Sequence, residues 1–315
     1  MKNLKIAIIG SGAVGTSFLY ACFNQSLGSE FGIIDINEKL QKGSVFDLQD
    51  AIGNAPMNVK VVKADYSDLK DYDFIFISAG RPQKVGETRL QLLSSNAQIM
   101  HNIAKSVKES GFKGITLIAS NPVDIMTYVY LKSTGFEKNK VVGSGTILDS
   151  SRLKFAIAQT YGVSSHDVQA YVVGEHGDSS VSVLSSAKIA GFELKKFSTG
   201  NVEEELKQVE EDVRQRAYRI IETKGATFYG IGNGIANILK HMVYDTKAIL
   251  PVGALMEGHY GASGVVMGTP CVVGKNGIEK VLEASLSEKE HEKLMKSVKV
   301  LTENTDTVRK ELGFE

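Results

Sequence analysis

The sequence predicts an α/β fold, a doubly wound parallel sheet followed by an α+β half, and three observations predict it. Short runs of β-branched and apolar residues alternate with longer stretches of helical period up to about residue 143. The first run leads directly into a glycine-rich turn, Gly10-Ser11-Gly12-Ala13-Val14-Gly15, which opens a helical pattern. Beyond Gly143 the alternation lapses, and a long amphipathic stretch and a Gly-rich, β-branched stretch take over. A chain of 315 residues suits about two domains. The change of rhythm divides it into 1–143 and 144–315.

In the first half, Leu4–Ile9, Phe31–Ile34, Lys60–Lys63, Phe74–Ser78 and Ile115–Ala119 read as strands. Several are apolar throughout, as strands covered on both faces must be. Ala13–Gln25, Glu38–Ala51 and Arg89–Ser110 read as the intervening helices. In the second half, Asp149–Tyr161 has helical period, Val168–Val173 reads as a strand, and Val202–Lys224 is a long amphipathic helix. Thr227–His241 continues as helix, and Ala248–Val273 reads as antiparallel strands. Ser287, with Glu290 three positions on, has the spacing of a capping box and opens a closing helix, Ser287–Thr302.

Composition excludes several function classes. Lys+Arg and Asp+Glu balance at 36 each, so no basic surplus points to a nucleic-acid backbone. A hydrophobic content of 43% supports buried cores and argues against disorder. Cys22 and Cys271 are far apart and make neither a disulfide framework nor a metal-ligand pair, which fits a reducing cytoplasm and no metal. The basic start and uncharged stretch 6–29 imitate a leader peptide, but Gly10, Gly12 and Gly15 break the apolar run.

Gly10, Gly12 and Gly15 follow a strand and open a helix, the context in which such a turn cradles a pyrophosphate. Asp35 ends the second strand twenty residues after Gly15, where a carboxylate can accept hydrogen bonds from a ribose diol. A 2′-phosphate would face that carboxylate, and Ile36 and Asn37 supply no cation, so NAD suits better than NADP. In the second half, Asp149 and Arg152 stand one helical turn apart, and His176 follows in Gly174-Glu175-His176-Gly177-Asp178. A carboxylate, a guanidinium and an imidazole can exchange a proton with a hydroxy acid while gripping its carboxylate. The other histidines, His101, His166, His241, His259 and His291, lack such surroundings.

These residues resemble the L-lactate and malate dehydrogenase family. The matching pieces are Gly10–Gly15 with Asp35, the run Gln83–Arg89, Ser120-Asn121-Pro122-Val123-Asp124, the stretch 143–152, Gly174–Asp178 and Lys224-Gly225-Ala226-Thr227. The resemblance spans nearly the whole chain and implies a Rossmann-type sheet that binds NAD. It implies His176 as proton donor and acceptor, oriented by Asp149, and Arg152 on the substrate carboxylate. It further implies Arg89 polarising the C2 carbonyl from a closing loop, with Asn121, Gln83 and Thr227 contacting substrate. Val14, Tyr66, Gly80, Asn121 and Ser144 join the glycines and Asp35 as expected NAD contacts, and the assembly is expected to be a homotetramer.

Gln83 bears most on specificity, since its position in the family tends to be Gln in lactate and Arg in malate dehydrogenases. A neutral amide would leave a second substrate carboxylate unpaired, whereas the methyl of lactate needs no cation. Glu87 further disfavours a dicarboxylate, while Arg81 and Lys84 flank Gln83 and keep malate, or a broader range of L-2-hydroxy acids, as alternatives. Val85 stands where the family often has Pro. Many bacterial relatives are activated by fructose 1,6-bisphosphate through an Arg and a His; here Lys154 and Gln169 occupy those positions. The run 179–184 also departs from the usual Pro-Val-Trp pattern, and the chain has no Trp.

Overall fold

The computed structural model describes residues 3–82 and 88–314. Strands β1 (Lys5–Ile9), β2 (Glu30–Ile34), β3 (Lys60–Lys63), β4 (Phe74–Ile77), β5 (Ile115–Ile118) and β6 (Val141–Gly143) pair in parallel in the order β3-β2-β1-β4-β5-β6. This is the doubly wound Rossmann order, and it reverses direction between β1 and β4. Helices α1 (Ala13–Asn24), α2 (Glu38–Ala51), α3 (Arg89–Glu109) and α4 (Val123–Thr134) cover its faces.

Apolar runs make these strands because both faces are covered. Ile6, Ala7, Phe31, Ile33, Ile75, Phe76, Ile77 and Ile118 are fully shielded. Phe18 of α1 lies against Phe76 of β4 with ring centroids 4.3 Å apart. Burying each such side chain stabilises the fold by roughly 1.5–3 kcal/mol. Helix starts follow their caps. Asn37 accepts from the N–H groups of Lys39 and Leu40, and Thr88 forms a reciprocal capping box with Gln91.

The same sheet continues into the second half. Strand β10 (Ala248–Glu257) runs antiparallel to β6, meeting it at Gly253 and Gly143, and β11 (Ser263–Gly274) and β12 (Gly277–Val281) follow. Strands β7 (Val168–Val173), β8 (Val181–Ile189) and β9 (Phe192–Glu193) form a separate antiparallel sheet. Helices α5 (Ile147–Tyr161), α6 (Val202–Lys224), α7 (Tyr229–Val243) and α8 (Glu288–Leu312) complete this half. Ser287 and Glu290 make the capping box that their spacing predicts. Among the described residues no helix is long and apolar enough to cross a membrane.

Several elements extend the sequence reading. Helix α4 escapes a periodicity argument because Val123 to Leu131 are buried on all sides, leaving no polar stripe. Strand β6 is too short for alternation to register, and in β8 two consecutive exposed serines, Ser185 and Ser186, interrupt its period. Helix α7 begins at Tyr229, two residues after Thr227, and α8 runs on to Leu312.

Candidate active site

The turn after β1 is shaped for a phosphate group. A Cβ at Gly15 would stand 2.0 Å from the Gly10 carbonyl oxygen, so α1 can approach the turn this closely only with glycine there. A Cβ at Gly12, the N-cap of α1, meets no atom within 4 Å, leaving open room over the positive end of the helix. Val14 lies in the first turn of α1 and is half-buried. Asp35 stands just beyond β2, where its Oδ2 accepts from Ser11 N (2.6 Å) and Ser11 Oγ (2.8 Å) and its Oδ1 from Asn37 N (2.8 Å). Each carboxylate oxygen can accept about two hydrogen bonds, so Oδ1 retains capacity for a ribose hydroxyl. These residues fit a dinucleotide.

The carboxyl ends of β1, β4 and β5 are tied together. Ser78 Oγ donates to the Gly10 carbonyl (3.0 Å), and Ser120 Oγ to the Ala79 carbonyl (2.5 Å). Asn96, buried on α3, accepts from Arg81 N (3.0 Å) and donates to the main-chain oxygen of Asn121 (3.0 Å). Asn96 thus links the chain just beyond Gly80 to Asn121 at the carboxyl ends of β4 and β5, the edge at which α/β sheets bind ligands. Asn121 is exposed there, joined to Pro122 by a cis peptide bond. Ser144, buried beyond β6, donates its N–H to the Ile118 carbonyl. Tyr66 packs against the core from the turn after β3, and burial raises its phenol pKa.

The imidazole centre is built from five elements. Gly174 N and O exchange two 2.9 Å hydrogen bonds with Gly268 of β11, which fixes the His176 loop to the large sheet. Gly174 has φ +94°, and a Cβ there would lie 2.7 Å from Ser297 Oγ of α8. Ser297 Oγ in turn accepts from Glu175 N (2.8 Å). Asp124, in the first turn of α4, accepts the His176 main-chain N–H at 2.8 Å. Tyr218 of α6 donates to Asp178 Oδ1 (2.8 Å).

His176 Nδ1 meets Asp149 Oδ2 at 2.6 Å, and Arg152 Nη1 donates to Asp149 Oδ1 at 3.1 Å. The His176 side chain is 24% exposed, while those of Asp149 and Arg152 are 12% and 11% exposed. The Asp149 charge, against the opposing effect of burial, pushes the imidazole pKa up to about 9. Burial works to raise Asp149, but His176 and Arg152 together hold its carboxyl below the ordinary range. Near neutral pH the ring is therefore an imidazolium braced through Nδ1, with Nε2 unpartnered among the described residues.

Thr227 and Arg152 line one cleft of about 390 Å³ together with Leu148, Ser151, Phe155 and Lys224. Lys224 Nζ lies over the rings of Phe228 (3.1 Å) and Tyr229 (4.4 Å), pinning the turn that carries Thr227. Gln83 lies outside the described residues, as do Lys84, Val85 and Glu87. The main chain of Arg89 opens α3, directly after the Thr88 cap. Asn96 and Ser297 have no signal in the sequence, since each meets main-chain groups far away in the chain, and the bond from Ser11 to the Asp35 carboxylate joins positions 24 residues apart. Asp124 lies in a recognised run, but only the folded chain shows that it holds His176.

Residues 4–143 match the lactate/malate dehydrogenase NAD binding domain, and residues 146–312 match the lactate/malate dehydrogenase alpha/beta C-terminal domain. The chain is 64% identical over 306 residues to an L-lactate dehydrogenase of Mycoplasma pneumoniae, covering 96% of this chain and 98% of that protein. It is 62% identical to an L-lactate dehydrogenase of Mycoplasma genitalium, with the same coverage. Its fold matches the ligand-bound crystal structure of the minor L-lactate dehydrogenase of Enterococcus mundtii with a TM-score of 0.95 at 37% identity, over 98% of this chain and 99% of that one. With both halves matched around a braced imidazole and a dinucleotide turn, the chain belongs to the lactate/malate dehydrogenase family.

Proposed function

We propose that this chain acts as an NAD-dependent L-lactate dehydrogenase, interconverting pyruvate and L-lactate in the cytoplasm as a homotetramer. The observation that carries the reading is the His176–Asp149–Arg152 cluster, in which one carboxylate braces both an imidazolium and a guanidinium. Bound NADH supplies the hydride for C2 of pyruvate. His176 then gives its proton to the C2 oxygen and takes it back in the reverse direction. Asp149 selects the tautomer and favours the protonated ring.

Arg152 uses one N–H toward Asp149, and its guanidinium retains others to pair with the substrate carboxylate. Asn121 hydrogen-bonds the substrate oxygen, Arg89 polarises the carbonyl, Gln83 selects for a substrate without a second carboxylate and Thr227 lines the pocket. Gly10, Gly12, Val14, Gly15, Asp35, Tyr66, Gly80, Asn121 and Ser144 hold NAD. Residues 1–143 thus carry the cofactor and 144–315 most of the substrate chemistry. The named L-lactate dehydrogenases among the relatives support pyruvate over oxaloacetate. Loss of NADH absorbance with pyruvate, and little with oxaloacetate, is the expected result. Faster turnover of oxaloacetate would overturn the substrate assignment. Light scattering on the eluting protein reads the tetramer directly.

A further inference from the structure

Asp124 is buried in the first turn of α4, with 3% of its surface exposed. Its Oδ2 accepts the His176 main-chain N–H at 2.8 Å, while its Oδ1 is buried and has no hydrogen-bond partner among the described residues. A neutral acceptor would hold that N–H as well, without the cost of a buried charge. A carboxylate with an idle oxygen is therefore a poor solution to a purely structural need. Its surroundings suggest another. The charged groups acting on His176 among the described residues are Asp149 and Arg152 from α5 and Asp124 from α4, and Glu175, next to His176 in the loop, acts on Asp124. Among the described residues, β11 and α8 bring to the loop the neutral Gly268 main chain and the Ser297 hydroxyl. The Arg152 cation opposes protonation of the ring, and Asp124 adds a second anion to offset it.

We infer that Asp124 is a positioning residue for the proton transfer: it anchors the His176 main chain and, through its negative charge, biases the imidazole toward its protonated form. The inference rests on the proposed role of His176. It also accords with the titration of Asp124 itself, which burial pushes up to about 7 despite the His176 N–H. A carboxyl titrating there would carry a partial charge at neutral pH, so its influence on the ring grows as pH rises through that region.

The test compares wild type, Asp124→Asn and Asp124→Ala. NMR titration of the histidine ring signals, with His176 assigned through His176→Gln, reads the imidazole midpoint without turnover. In Asp124→Asn, which keeps an acceptor for the N–H, the midpoint should fall by about half a unit or more. The alkaline limb of kcat/KM for pyruvate should move down with it. Asp124→Ala also loses the anchor, and its kcat should fall about tenfold or more below that of the Asn variant. KM for NADH should change far less. An unchanged midpoint in Asp124→Asn, or an Ala variant as fast as the Asn variant, overturns the inference. Should the Ala protein not fold, the Asn midpoint alone decides. A wild type inactive toward pyruvate would count against the proposed function, while the ring titration would still judge Asp124.

Discussion

His176 Nδ1 and Asp149 Oδ2 lie 2.6 Å apart, on a loop and a helix separated by 27 positions in the chain. The ring is protonated below about 9, the value to which the Asp149 charge raises it. If the imidazolium is the proton donor, kcat/KM for pyruvate is full below that value and falls as pH rises through it. Asp149→Asn removes the main cause of the shift and should move the alkaline limb down toward the ordinary 6.5. A pH profile of the variant that coincides with wild type would remove the pair from the chemistry.

His176→Asn keeps a polar side chain that cannot exchange a proton near neutrality. Its kcat should fall by about 10² to 10⁴, with NADH binding close to normal. Stopped-flow turnover and fluorescence titration of NADH separate the two effects. Retention of more than about a tenth of wild-type turnover would exclude the residue as the acid.

Gly15→Ala places a methyl group 2.0 Å from the Gly10 carbonyl oxygen, a main-chain atom that cannot swing aside. Relief requires α1 to move off the turn, costing about 1–3 kcal/mol. A lower Tm together with weaker NADH binding is expected. Equal Tm and Kd for both proteins would show that the helix rests further from the turn.

Gln83→Arg should offer a guanidinium to the second carboxylate of oxaloacetate and leave an unpaired cation opposite the methyl of pyruvate. Unpaired buried partners shift discrimination by up to about 10⁴ to 10⁵, and Glu87 should reduce this by partly neutralising the new charge. The ratio of kcat/KM for oxaloacetate over pyruvate is the measurement. A change below about tenfold would shift attention to Arg81 or Lys84.

Fructose 1,6-bisphosphate should activate little. Lys154 lies 6.0 Å from the centre of the Tyr171 ring, and burial lowers the pKa of its ammonium. Gln169 is exposed and neutral on β7. Assays at subsaturating pyruvate check this, and a large fall in KM that disappears in Lys154→Ala would reverse it.

The parts legible in the sequence were those with a local signature. The glycine turn, the first five strands and the Asp149–Arg152 spacing depend on neighbours within a few positions, and Asp35 on a fixed distance of twenty residues from Gly15. Helix α4 was not legible because a helix buried all round has no amphipathic period. Nor was Asn96, which looks like one polar residue among many on α3 until the ends of β4 and β5 close on it. The pairing of β6 with β10 joins residues more than a hundred positions apart, and no local pattern encodes it.

That pairing has a consequence for how the chain acquires its structure. Until β10 arrives, β6 presents unpaired main-chain groups on one side, and these can join another copy of the same strand. During synthesis the completed first half must wait for roughly a hundred further residues before its edge is covered, and such distant contacts form slowly. A fragment ending at residue 143 would keep that edge bare permanently. The half matched to the NAD binding domain thus has its sheet edge covered by a strand supplied from the other half.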